Sequence, residues 1–103
     1  MRVGEDWVDA APPEGKVIIN SGLMLERLSN GLIPAGWHRV LAPQDGASDR
    51  MSVVQFCHPR PWTSLAPLPC CCTPENPQRW SGINAADALE DMLHAIGLLA
   101  PPS

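Results

Sequence analysis

Tyrosine is missing from the 103 residues of this chain and phenylalanine occurs once, leaving four tryptophans as almost the whole aromatic supply. A chain of this length forms one small domain at most and buries only about 60 to 65% of its unfolded surface. With so few rings to fill an interior, a large self-sufficient core is not expected. Positive charge is also scarce. Seven Lys and Arg stand against eleven Asp and Glu, for a net charge of -4, and the seven are scattered, which excludes a nucleic-acid surface built on clustered cations. No apolar run approaches the ~18 to 20 residues of a membrane-spanning helix, and residues 1–10 lack the basic-then-apolar grammar of a secretory signal. The expectation is therefore a cytoplasmic protein with no membrane or nucleic-acid partner. Cysteine is present but badly spaced for structure: Cys57 stands alone, and Cys70, Cys71 and Cys72 are consecutive. Adjacent cysteines bridge only with strain, and structural zinc pairs its ligands two to four residues apart, so the triplet reads as a loop of reduced thiols. None of the three histidines has a carboxylate two residues later: His38 precedes Arg39-Val40, His58 precedes Pro59-Arg60, and His94 precedes Ala95-Ile96.

What is abundant is proline, at twelve residues. Six of them fall between Pro59 and Pro77, and because each removes a backbone donor and restricts its predecessor, residues 62–83 are expected to form an extended, irregular wrap. Before it, strand signals dominate. Arg2-Val3 and Trp7-Val8-Asp9 flank a polar Gly4-Glu5-Asp6 turn, the pattern of a short hairpin. Lys16-Val17-Ile18-Ile19-Asn20 is a β-branched run suited to a buried strand. Residues 36–42 and 50–58 are further strand candidates, joined by a polar loop and expected to pair as a hairpin. Two helices interrupt or follow these strands. Ser21 is placed to cap a short turn over 22–28 that ends at Asn30-Gly31. Asn84, with Asp87 three residues on, opens a helix over 84–99 whose apolar stripe is Leu89, Met92, Leu93 and Ile96.

Alternation along a strand places Arg50 and Ser52 on one face, together with Val54 and Phe56. A guanidinium fork beside a hydroxyl suits a carboxylate, each charge-assisted bond contributing about 1.5 to 3 kcal/mol. On the preceding strand lies His38, whose neutral imidazole is a common ligand of iron, zinc and copper. Trp37 is placed to shield it, while Arg39 faces the other way, free for ion pairs. His58, at a strand end, and His94, off the helical stripe, read as surface residues.

The segment 25–40, Leu-Glu-Arg-Leu-Ser-Asn-Gly-Leu-Ile-Pro-Ala-Gly-Trp-His-Arg-Val, followed by Arg50-Met-Ser-Val-Val-Gln-Phe56, closely resembles the isopenicillin N synthase-like branch of the iron(II)/2-oxoglutarate dioxygenases. In that branch an Asn-Gly turn leads to a His-Arg-Val strand bearing the last iron ligand, and an Arg-x-Ser pair on the next strand binds the far carboxylate of 2-oxoglutarate. The resemblance thus implies a metal-ligand role for His38 and cosubstrate-binding roles for Arg50 and Ser52. It also implies a mainly β fold with flanking helices: a partial double-stranded β-helix, or jelly roll, over residues 1–61, then the proline-rich wrap and the C-terminal helix.

The implied activity is oxidation of a small substrate by Fe(II), dioxygen and 2-oxoglutarate. The family's other two iron ligands come from a His-x-Asp or His-x-Glu motif that this sequence lacks, so both cofactor sites are expected to be incomplete without upstream residues. No residue is assigned a catalytic role, and activity of the chain alone is not expected. Unpaired strand edges would invite a complementary chain or self-association. Two further readings stay open. One is a non-enzymatic pseudoenzyme or interaction module built on the partial barrel. The other is a small zinc protein using Cys57, His58, Cys70 and Cys72.

Overall fold

A computed structural model describes residues 1–42, 44, 46, 49 and 51–100. These fall into two compact units, Met1–Asn20 with Gly36–Cys57, and Ser21–Ala35 with the chain from His58 onward.

The first unit opens with the expected hairpin. Strand β1, Arg2–Val3, pairs antiparallel with β2, Asp6–Trp7, in the register Arg2 to Trp7 and Val3 to Asp6. The two-residue loop places Gly4 at φ 60°, a conformation glycine adopts without steric cost and that matches the twist of a hairpin. The Arg2 amide donates to the Trp37 carbonyl at 2.8 Å, which ties the segment around His38 to β1. Arg39, instead of standing free for ion pairs, lies over the Trp7 ring at 4.1 Å from its centroid, a cation–π contact. A turn at Pro13–Lys16 closes with a 3.0 Å backbone bond, and its Gly15 sits at φ 75°, as the third residue of a type II turn requires.

Beyond the hairpin the expected strands do not form ladders. Residues 16–20, 36–42 and the described part of 50–58 run without strand pairing, and the hairpin expected between the last two is absent among the described residues. Ile19, Met51 and Val53 are each more than nine-tenths exposed. A pleated segment becomes stable only with paired neighbours and a covered face, and among the described residues these segments have no paired neighbours.

The second unit is organised around one side chain. Helix α1, Leu23–Leu28, starts at Gly22 without a side-chain cap. Ser21, expected to cap it, instead donates its hydroxyl to the Pro34 carbonyl at 2.8 Å, because the returning loop presents an acceptor that competes for it. The C-terminus closes as the Asn-Gly pair predicts. Gly31 N–H bonds to the Glu26 carbonyl at 2.8 Å and Asn30 N–H to that of Arg27 at 3.0 Å, the double bond pattern of a Schellman motif. Asn30 takes φ 50° and is fully buried. Its Nδ2 donates toward the carbonyls of Pro77, Asn76 and Cys71 at 3.0, 3.1 and 3.4 Å, and its Oδ1 accepts from the Arg79 amide at 2.8 Å. Asn76 reciprocates by donating from Nδ2 to the Asn30 carbonyl at 3.2 Å.

The proline-rich stretch is irregular: a turn closes from Arg60 to Thr63, Ser64 forms an isolated bridge with Asn84, a 3₁₀ turn spans Pro69–Cys71, and Thr73 and Asn76 exchange backbone bonds at 3.0 Å. Leu65 is fully buried beside it, held by its amide bond to the Ile83 carbonyl at 2.7 Å. The last helix, α2, spans Ala85–Ala95, shorter than the 84–99 expected. Asn84 Oδ1 accepts from the Asp87 amide, and Asn84 Nδ2 donates to the Asp87 carboxylate, both at 2.8 Å, a reciprocal cap. The stripe of Leu89, Met92 and Leu93 is half-buried, but Ile96 is exposed at the C-cap, just before Gly97 turns the chain at φ 78°. His94, expected at the surface, is half-buried. Its Nδ1 is buried with no hydrogen-bond partner among the described residues, and its Nε2 lies 3.6 Å from Glu90.

Replacing Asn30 by alanine withdraws the partner of a buried amide and of several carbonyls at once. Asn30→Ala is expected to destabilise the second unit by about 2 kcal/mol or more, read as a lower urea midpoint. Asn30→Gly should lose nearly as much, because the side chain rather than the positive φ carries the effect.

Candidate functional site

His38 is reached by a chain that folds back on Asn20. The strand-like run 16–20 ends with the Asn20 carboxamide against the backbone of Gly36. Its Nδ2 lies 2.8 Å from the Gly36 carbonyl and 3.2 Å from His38 Nδ1, while His38 Nδ1 lies 3.0 Å from that same carbonyl. The imidazole is exposed, and no hydrogen bond engages its Nε2 among the described residues. Sequence reasoning identified His38 but not Asn20 or Gly36, whose separation from each other is sixteen residues. The one local signal was a glycine two positions before the histidine.

Ser52 is exposed, available to a ligand from solvent. Arg50, its expected partner, lies outside the described residues. Of the two, the described residues include Ser52 alone, and among them no hydrogen bond links it to His38.

The chemistry of the donor set limits what the chain holds. A free Nε2 on an otherwise anchored imidazole fits one metal-ligand position. Among the described residues no group of three or more His, Cys, Asp or Glu side chains is gathered for a metal, so a complete metal site is not assembled here. The four cysteines are unbridged. The Cys71 thiol is pushed above the ordinary range, first by desolvation in its half-buried loop and then by Cys70, which contacts it at 3.9 Å. A separate groove of about 350 Å³ lies in the second unit, where Pro59 and Pro61 face Ala86, Leu89 and Leu93 of α2. It is apolar and contains neither His38 nor Ser52. Among the described residues no helix is long and apolar enough to cross a membrane.

Known proteins give this arrangement a context. The sequence model of the 2OG-Fe(II) oxygenase superfamily matches residues 1–59. A 1-aminocyclopropane-1-carboxylate oxidase of Arabidopsis thaliana is 37% identical over 67 residues, 65% of this chain and 21% of its own length. A feruloyl CoA ortho-hydroxylase of Ipomoea batatas is 42% identical over 65 residues, 63% of this chain and 18% of its own. A 1-aminocyclopropane-1-carboxylate oxidase of Musa acuminata is 39% identical over 61 residues, 59% of this chain and 19% of its own. The chain thus spans about a fifth of the length of these relatives. No solved structure matches it.

The raised Cys71 thiol has a readable consequence. The thiolate is the nucleophile, so a thiol whose pKa lies above the ordinary value carries less thiolate at neutral pH. Cys71 is expected to alkylate more slowly than free cysteine at neutral pH and to catch up as pH rises past the ordinary thiol range, as followed by iodoacetamide labelling and peptide mass mapping.

Proposed function

Because the chain belongs to the 2OG-Fe(II) oxygenase superfamily, we propose that it is the part of such an enzyme that supplies one iron ligand and the anchor for the cosubstrate. The family uses Fe(II) and 2-oxoglutarate. Iron, when bound, supplies redox chemistry and open coordination positions for dioxygen activation. This chain's own residues hold and orient. His38 would present Nε2 to the metal, and Arg50 with Ser52 would take the far carboxylate of 2-oxoglutarate, the guanidinium through its planar fork and the serine through its hydroxyl. The observation that carries this reading is the family match across residues 1–59, which includes all three residues in the spacing His38, Arg50, Ser52.

The fold proposed for the working protein is the jelly-roll barrel, with residues 1–61 contributing part of it. The bare apolar side chains of Ile19, Met51 and Val53 support this reading, since such side chains belong on a face that another sheet covers. The remaining strands and the His-x-Asp pair would come from elsewhere, in the same protein or in a complementary chain. A small organic molecule is the proposed substrate class, in keeping with relatives named for a cyclopropane amino acid and for a feruloyl thioester.

A second reading, a non-enzymatic module that keeps the carboxylate site alone, is favoured by one observation: none of the three histidines is followed two residues later by a carboxylate.

Two measurements bear on the proposal. Titrating 2-oxoglutarate into the chain should show binding that weakens about tenfold or more in Arg50→Ala, the loss expected for a charge-assisted bond; equal affinity of the two would remove the carboxylate assignment. In a chimera, residues 1–59 would replace the matched segment of the Ipomoea batatas hydroxylase. It should retain turnover dependent on 2-oxoglutarate and lose bound iron on His38→Ala. Unchanged iron content in that variant would remove His38 from the ligand set, and a chimera with carboxylate binding but no turnover would favour the non-enzymatic module.

A further inference from the structure

We propose that Asn20 and Gly36 form a clamp that fixes His38 in the tautomer with the proton on Nδ1, so that Nε2 turns outward with its lone pair bare. Asn20 is then a positioning residue, acting on His38 through the Gly36 carbonyl. The inference rests on reading His38 as a metal ligand, and it names what prepares that ligand.

The distances decide between two hydrogen-bond assignments. Asn20 Nδ2, the Gly36 carbonyl oxygen and His38 Nδ1 are separated by 2.8, 3.0 and 3.2 Å, and so sit at the corners of a nearly equilateral triangle. A carboxamide nitrogen carries two N–H bonds that diverge at the trigonal angle, so it cannot aim one at each of the other two corners. Its short side, to the Gly36 oxygen, takes one N–H. The contact between Asn20 Nδ2 and His38 Nδ1 is then the approach of two donors to one acceptor. A carbonyl oxygen has two lone pairs, and the second accepts from His38 Nδ1–H. Turning the amide over would set its oxygen against the Gly36 oxygen and lose the first bond, which fixes its orientation as well.

Gly36 is required by the same packing. A Cβ placed there would collide with the Asn20 carboxamide, although the backbone at Gly36 is not in the left-handed region. Glycine is needed for the side chain that lies against it, not for its own torsion. The chemical result bears on metal binding, because a ligating nitrogen must carry no proton. An unanchored neutral imidazole favours the proton on Nε2, the wrong atom to protonate if Nε2 is to bind. The clamp reverses that preference before any metal arrives.

The test needs no metal. Long-range proton–nitrogen correlation on the histidine-labelled 103-residue chain, at mildly alkaline pH where imidazole is neutral, reads the two tautomers directly. Wild type is expected to show His38 with a pyridine-like Nε2 and a protonated Nδ1. Asn20→Ala removes, and Gly36→Ala displaces, the amide that holds the Gly36 carbonyl toward His38, so in both the ratio of Nδ1–H to Nε2–H should fall by at least about threefold as the His38–Gly36 bond is lost. Arg39→Gln removes the neighbouring contact with Trp7 while leaving the clamp intact, and should leave the ratio unchanged. A wild-type His38 already protonated on Nε2 would overturn the proposal. So would an unchanged ratio in both clamp variants, or an equal fall in Arg39→Gln, which would mark general loosening. These outcomes concern the clamp alone; the ligand role of His38 stands or falls separately on the iron content of the chimera.

Discussion

The carboxamide of Asn30 is the interaction on which the second unit depends. Four returning backbone groups, from Cys71, Asn76, Pro77 and Arg79, converge on one buried side chain. The chain there is too rich in proline to satisfy itself through a ladder, since each proline withholds a donor. An amide side chain offers the same donor and acceptor as a peptide group, so Asn30 stands in for the strand neighbour that this stretch cannot have. Its placement is set in turn by the Schellman closure of α1, which holds Asn30 at a positive φ with its side chain buried. Helix end, buried amide and irregular wrap are therefore one cooperative arrangement, with Leu65 and Ala85 as its small apolar centre.

The first unit meets the same requirement differently. Its hairpin pairs only two residues with two, and the long β-branched and apolar runs beyond it remain without ladders among the described residues. Side chains there that are suited to burial stand exposed, Ile19, Met51 and Val53 among them. The chain spans about a fifth of the length of the relatives it matches. The segments that are unpaired among the described residues are rich in β-branched and apolar side chains, and the residues proposed to bind metal and cosubstrate lie on those same segments.

Local chemistry was legible in the sequence. Gly4-Glu5 marks the hairpin, Asn30-Gly31 ends α1, and Asn84 with Asp87 opens α2, because each of these signals is decided within a few residues. Ser21 shows where locality fails: its hydroxyl had the right position for a cap, but a carbonyl thirteen residues away took it. The buried role of Asn30 and the contact of Asn20 with Gly36 and His38 were not legible for the same reason. Their partners lie sixteen to forty-nine residues distant, and neither periodicity nor propensity encodes a side chain meeting a remote carbonyl. The β-branched and apolar runs 16–20, 36–42 and 50–58 carry strand signals but form no ladder among the described residues, because composition marks a segment suited to a sheet and not the neighbour that must pair with it. The three proposed site residues came from family resemblance, since Arg-x-Ser and a lone histidine carry little weight as local patterns.

The closure of α1 also bears on chemical ageing. An asparagine followed by glycine is the dipeptide most disposed to spontaneous deamidation, in which the glycine nitrogen attacks the side-chain carbonyl carbon to give a succinimide. At Asn30-Gly31 that nitrogen is engaged with the Glu26 carbonyl, and the side chain is held by its distant partners with its oxygen committed to Arg79. Folding thus keeps nucleophile and electrophile apart, and loss of the fold returns them to each other. The bond most vulnerable in the free peptide is protected by the contact that organises the second unit, so any isoaspartate formed there records the time the molecule has spent unfolded.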